Sequence, residues 1–213
     1  MEKEESKEIN KTHNGLTVKI DHKKDDLGKY EEALASYDQT LEIDSDDEDT
    51  WGNKGTLLSK IGKYEEALAS YDKALEINSN DEGTWGNKGI LLGKVGKYEE
   101  ALASYDKALE INPNDENIWY NKGNVLDDLG MYEEALASYD KALEINPNDE
   151  DIWYNKACSE SKLNNKTKAI EYLRRAIELN IKNKENAAED QDFDSIRKDK
   201  RFIELVNSSQ KTE

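Results

Sequence analysis

The chain has 213 residues, of which 35% are hydrophobic and 37% charged, and it carries a formal net charge of −18. That acidic balance disfavours nucleic acid, whose phosphates need clustered Lys and Arg, and it disfavours anionic membrane surfaces. A single cysteine excludes an internal disulfide framework, and no apolar run reaches membrane-spanning length, so a soluble cytoplasmic protein is the expectation.

Composition alone leans toward disorder, but the apolar residues are periodic. The block Tyr-Glu-Glu-Ala-Leu-Ala-Ser-Tyr-Asp occurs verbatim at Tyr30–Asp38, Tyr64–Asp72, Tyr98–Asp106 and Tyr132–Asp140, each start 34 residues after the last. A degenerate copy at Lys166–Arg174 keeps the interval. A fixed period of this size marks units that bury their apolar faces against neighbours.

In chain order, residues 1–13 are polar and read as a disordered, frayed tail. His13 and His22 are the only histidines and supply too few convergent ligands for a metal, so neither metal nor cofactor is expected. Residues 14–47 form a degenerate first repeat, with Thr17 and Asp21 where later repeats carry Trp and Gly. Leu16, Ile20 and Leu27 mark a helical stripe in its first half, and Tyr30 to Ile43 is an intact second half.

Repeats 48–81, 82–115, 116–149 and 150–183 each predict helix, turn, helix, loop. Trp51, Gly55, Leu58 and Ile61 share one helical face before Gly62 ends the helix, and Ala67, Leu68, Tyr71, Ala74 and Leu75 make the facing stripe. Pro113 and Pro147 stop second helices, and Asp81, Asp115 and Asp149 follow as caps. Gly55, Gly89, Gly123 and Ala157 predict close approach within each pair, with Trp and Tyr rings filling the gaps.

Trp119, Gly123, Ala135, Tyr139, Ala142 and Pro147, in the cleanest unit, resemble the tetratricopeptide repeat. The likeness covers roughly residues 14–183, departing at Leu58, Leu92 and Leu126 and at Lys54, Lys88, Lys122 and Lys156. It implies an all-α fold, a right-handed superhelical α-solenoid of stacked antiparallel helix pairs whose first helices line a concave, peptide-holding groove. In residues 184–206, Asp192, Phe193, Ile196, Arg197, Asp199, Arg201, Phe202 and Leu205 resemble the C-terminal capping helices of some prokaryotic members, and Phe193, Ile196, Phe202 and Val206 are expected to cover the apolar face of the last repeat; the rival reading is a separate recognition helix. Residues 207–213 are expected to fray.

On the inferred inner face, Asn53, Asn87, Asn121 and Asn155 form a ladder of amides able to pair with an extended ligand, with each other or with water. Around it Gly52 and Gly86 become Tyr120 and Tyr154, and Thr56 and Ile90 become Asn124 and Cys158. The candidate peptide-binding residues are therefore the ladder with Tyr120, Tyr154, Asn124, Lys60 and Lys94. Asp49, Asp127, Asp128 and Asp151 nearly balance Lys60, Lys94 and Lys162 on this face.

Family members that grip a chaperone's terminal carboxylate use paired Lys and Asn early, then Lys and Arg. Here Gly52 with Thr56, or Gly86 with Ile90, and Asn117 with Asn121, or Asp151 with Asn155, stand in those places. Cys158 reads as an inert thiol, since no His accompanies it, and no catalytic constellation is present. The expected function is a non-enzymatic protein-interaction scaffold binding a peptide or partner segment in the groove, expected as a monomer with end-to-end self-association open. The alternatives are a self-associating structural array and a module regulating an enzyme in trans, such as a protein glycosyltransferase.

Overall fold

A computed structural model of the chain describes residues 9–13, 16–20 and 22–207. The expected frayed ends over 1–8 and 208–213 lie outside the described residues. The chain divides into two compact units, residues 1–80 and 81–213, dominated by helices in consecutive antiparallel pairs.

The first unit corrects the sequence reading at its start. Strands β1 (Ile9–His13) and β2 (Leu16–Ile20) pair antiparallel, with His13 opposite Leu16 and Ile9 opposite Ile20. Residues 9–13 are thus a strand rather than tail, and 16–20 are not helical. Leu16 and Ile20, four apart, suit a helix stripe or a strand face equally well. The alternation of Leu16, Val18 and Ile20, the β-branched Thr17, Val18 and Ile20, and the Asn14-Gly15 dipeptide favoured in two-residue hairpins decide for the strand. The degenerate repeat then supplies one helix, α1 (His22–Ile43), followed by the pair α2 (Glu48–Lys60) and α3 (Tyr64–Ile77).

The second unit contains the pairs α4 (Glu82–Lys94) and α5 (Tyr98–Ile111), α6 (Glu116–Asp128) and α7 (Tyr132–Ile145), and α8 (Glu150–Lys162) and α9 (Lys166–Leu179). It closes with α10 (Asn183–Glu189), a 3-10 turn at Gln191–Phe193 and α11 (Lys200–Asn207). Each first helix starts under an aspartate cap: Asp47, Asp81, Asp115 and Asp149 accept from the backbone N–H groups of Thr50, Thr84, Ile118 and Ile152. Each ends at a left-handed residue, Gly62, Gly96, Gly130 and finally Asn164, at φ of +86°, +79°, +75° and +60°.

A ring laid on a glycine holds each pair together. Tyr71, Tyr105 and Tyr139 are buried at equivalent points of α3, α5 and α7. A Cβ added at Gly55, Gly89 or Gly123 would stand 2.7, 2.6 or 2.5 Å from the facing tyrosine ring. The last pair shows the same rule by exception. Leu173 replaces the tyrosine in α9, and the facing glycine becomes Ala157, both fully buried in one cluster.

Neighbouring pairs are tied by polar contacts. The indole N–H groups of Trp119 and Trp153 donate to Pro113 O and Pro147 O at 2.9 and 3.0 Å, and Trp51 does the same to Ser45 O. Lys122 lies over the Trp119 ring at 5.3 Å and pairs with Asp106 of α5 at 2.5 Å; Lys54 makes the matching pair with Asp38 of α1. The lysine that departs from the family pattern at this point is therefore a cationic tie, its stem on the indole and its head on a carboxylate.

At the end of the second unit, Ala187, Phe193, Ile196, Phe202 and Leu205 are buried in one cluster with Ala157, Cys158, Ala169, Ile170 and Leu173. Phe193 stacks at 5.6 Å from Phe202. The segment covers the apolar side that the last pair would otherwise present to water.

Two stability predictions follow from this packing. Gly123→Ala should cost about 1–3 kcal/mol because the enclosed ring must move, and Gly123→Ala with Tyr139→Leu, copying Ala157 and Leu173, should recover part of the loss in urea melts. Phe193→Ala should cost about 3–5 kcal/mol, and hydrogen exchange should show the loss of protection spreading from α10 and α11 into α8 and α9.

Candidate functional site

Aligned first helices create a face that the second helices do not cover. In the second unit α4 packs beside α6 and α6 beside α8, so residues five, six, nine, twelve and thirteen places along each repeat share that face. The buried tyrosines reach it from below. Their rings fill the gap over glycine and carry the hydroxyl to the residue that follows it, Thr56 after Gly55 and Asn124 after Gly123.

Between α6 and α8 the face carries a continuous polar lattice. Tyr139 Oη donates to Asn124 Oδ1 at 2.9 Å. The Asn155 amide donates to the same Oδ1 at 2.9 Å and to Tyr120 Oη at 3.1 Å, and the Tyr120 and Tyr139 rings lie 6.2 Å apart. Next to it, Asp127 accepts from Ser159 Oγ at 2.5 Å and from Lys162 Nζ at 2.6 Å. Lys162 also lies over the Tyr132 ring at 5.6 Å. Three of the residues singled out from sequence, Tyr120, Asn124 and Asn155, are thus brought together. Ser159 and the tyrosine hydroxyls were missed, because an interior-looking residue in the repeat pattern gives no sign that its polar tip surfaces.

Tyr154 departs from the sequence expectation of an open groove contact. Its hydroxyl donates to Asp190 Oδ2 at 2.8 Å, and its ring meets Phe193 edge-on at 5.6 Å. Asp192 pairs with Lys162 at 3.0 Å, and Ser195 Oγ donates to Ser161 O at 2.7 Å. The C-terminal segment therefore lies on this end of the face, and Tyr154 anchors it. These partners are thirty or more residues away in sequence, beyond the reach of a periodicity argument.

Cys158 is buried beneath the same segment, and Cys158, Asp190 and Asp192 have polar atoms within 4.8 Å of one another. Burial first, then the Asp190 and Asp192 carboxylates, push the thiol well above its ordinary range. Lys162 answers Asp192 and Tyr154 answers Asp190. The thiol stays protonated at neutral pH and is neither a nucleophile nor a ready soft ligand.

The face looks different before α6. Asn87 is exposed, Ile90 is 45% exposed, and Gly86 and Gly93 press on Ile118 and Val125 of α6. Asn121 is half-buried, and Lys94 closes the last turn of α4. In the first unit Asn53 is exposed, Tyr71 Oη donates to Thr56 Oγ1 at 3.3 Å, and Lys60 lies 5.3 Å over the Tyr30 ring. Lys60 is thereby engaged within its own unit. Asp128 and Asp151 are held above the usual carboxylate range, first by burial and then by neighbouring carboxylates, Asp127 for one and Asp149 and Glu150 for the other; Lys162 opposes the shift at Asp128.

Comparison with known proteins matches this architecture. Models of the tetratricopeptide repeat match residues 48–81 and 117–149, residues 70–103 and 138–171, residues 24–50 and, as the TPR repeat, residues 94–130. A search of curated proteins returned no match. Among solved structures, the MamA protein is similar at 20% identity, covering 76% of this chain and 88% of its own with a TM-score of 0.69. MamA 41-end from Desulfovibrio magneticus RS-1 is similar at 22% identity, with 73% and 88% covered and a TM-score of 0.69. YrrB, described as a TPR protein with an unusual peptide-binding site, is similar at 29% identity, with 74% and 81% covered and a TM-score of 0.66. With matched segments running unbroken from residue 24 to 171 and the paired helices in phase with them, the chain belongs to the tetratricopeptide repeat family.

Proposed function

We propose that the chain is a non-enzymatic interaction scaffold that holds an extended peptide segment of a protein partner on the first-helix face of α4, α6 and α8. The observation that carries this reading is the set of carboxamides and hydroxyls on that face, repeated every 34 residues and not required by the helix pairing beneath them. A carboxamide offers both a donor and an acceptor, the complement of a main chain without partners of its own. The peptide-binding site ascribed to YrrB supports the same use of this fold.

Self-association into an end-to-end array is the weaker reading, since the C-terminal segment covers one end of the stack with Phe193, Ile196 and Phe202. The buried Cys158 thiol and the carboxylates paired to Lys162 give no support to a catalytic role.

An array of short extended peptides, probed with the purified chain, tests the reading. Peptides captured by the wild type should lose signal with Asn87→Ala, Asn121→Ala and Asn124→Ala, and keep it with Lys73→Ala on the second helix α3. Capture of no peptide, or capture indifferent to all three asparagines, would remove the scaffold reading.

A further inference from the structure

The block Tyr-Glu-Glu-Ala-Leu-Ala-Ser-Tyr-Asp occurs in α1, α3, α5 and α7, but only the last three are laid on a first helix of their own pair. Residues 16–20, ahead of α1, are strand β2 instead. Since the four blocks are identical, differences in exposure register the missing neighbour. Tyr71, Tyr105 and Tyr139 are buried, whereas Tyr37 is half-buried. Ser70, Ser104 and Ser138 are buried, whereas Ser36 is exposed. Ile77 and Ile145, at the ends of α3 and α7, are each 38% exposed, whereas Ile43 is 89% exposed. Ala33, Ser36, Thr40 and Ile43 follow at three- and four-residue steps, and Tyr37 lies four after Ala33, so the five share one side of α1. Helix α2 engages another flank, where Lys60 lies over Tyr30 and Lys54 pairs with Asp38. The bare side of α1 is thus the one that α2, α4 and α6 cover on α3, α5 and α7.

The covered pairs define what fits there. Each sets a glycine against the tyrosine ring and a buried leucine three residues on: Gly55 and Leu58, Gly89 and Leu92, Gly123 and Leu126. A Cβ at these glycines would stand 2.5 to 2.7 Å from the ring. The chain's own residues ahead of α1 do not meet that requirement. Thr17, Asp21 and Lys24 stand in the places of Trp51, Gly55 and Leu58. A helix made from them would press a Cβ on Tyr37 and bury a carboxylate and an ammonium without partners. A second copy of α1 does not meet it either. Its glycine, Gly28, is nine residues from Tyr37, about two and a half turns, and so on the opposite side of the helix.

We propose that the bare side of α1 docks an amphipathic helix of a protein partner, with glycine opposite Tyr37 and an aliphatic residue three positions on, completing the first pair in trans. The occupant is fixed by continuity with the packing already present in α2 and α3, and its apolar side is covered as those helices cover each other. This surface is separate from the first-helix face, and it stands whether or not that face holds a peptide.

A labelled peptide with the sequence of residues 48–62, blocked at both ends and titrated against the full chain by fluorescence anisotropy, tests this. A helix so short is marginal alone, so binding should be weak but saturate below about 1 mM. The same peptide with Gly55→Val should bind about ten-fold or more weakly, because the ring cannot yield. In the chain, Ser36→Arg should weaken binding by a similar factor without moving the melting temperature, since Ser36 is exposed, and Asn121→Ala on the first-helix face should leave it unchanged. Failure of the wild-type peptide to bind, or equal binding of the valine peptide, would overturn the inference. Binding lost with Asn121→Ala and kept with Ser36→Arg would place the peptide on the first-helix face, overturning this surface and leaving the scaffold reading intact. A dimer in sedimentation that Ser36→Arg dissolves would make a second copy the occupant and overturn the inference as well.

Discussion

The contact between a tyrosine ring and a glycine backbone sets the geometry on which everything else in this protein depends. With glycine at residues 55, 89 and 123, the second helix approaches until its ring lies where a Cβ would be. A ring so placed carries its hydroxyl along the flank of the first helix to the residue after the glycine, Thr56 beside Gly55 and Asn124 beside Gly123. The packing of the core and the chemistry of the exposed face are thus two ends of one side chain. What stands above the hydroxyl decides the rest: threonine in the first unit, asparagine over Tyr139, and isoleucine over Tyr105.

The same economy runs through the contacts between repeats. A tryptophan closes the preceding loop through its indole N–H, and a lysine lies on that indole while pairing with an aspartate of the helix before it. Each exposed ion pair contributes little by itself. Repeated in phase, such ties fix the lateral register of the first helices, and with it the spacing of the groups they present. The final pair is finished differently, with aromatic and aliphatic side chains from the C-terminal segment covering its apolar side and Asp190 and Asp192 taking up Tyr154 and Lys162.

Periodicity made most of this legible. The interval of 34 residues, the capping aspartates and the glycine-tyrosine pairing locate the helices and their contacting faces before any coordinates are seen. Tyr120, Asn124 and Asn155 stand out in the sequence as candidates because they vary or recur at one place in otherwise uniform units, and the fold brings them into one lattice. Leu16 and Ile20 misled because one spacing serves two periodicities, and the Asn14-Gly15 signal between the strands outweighs it. Tyr154 misled for another reason: the segment that covers it arrives from 36 residues away, and no local pattern encodes that encounter.

The central claim is that the amides presented on the first-helix face hold the main chain of a peptide. The side-chain amide resonances of the asparagines in a 15N-labelled chain, followed while a peptide captured on the array is added, report on it directly. The account predicts the largest shifts at Asn87, Asn121 and Asn155, with Asn78 and Asn146 at the ends of the second helices unchanged. Shifts confined to Asn78 and Asn146, with Asn87, Asn121 and Asn155 still, would contradict it.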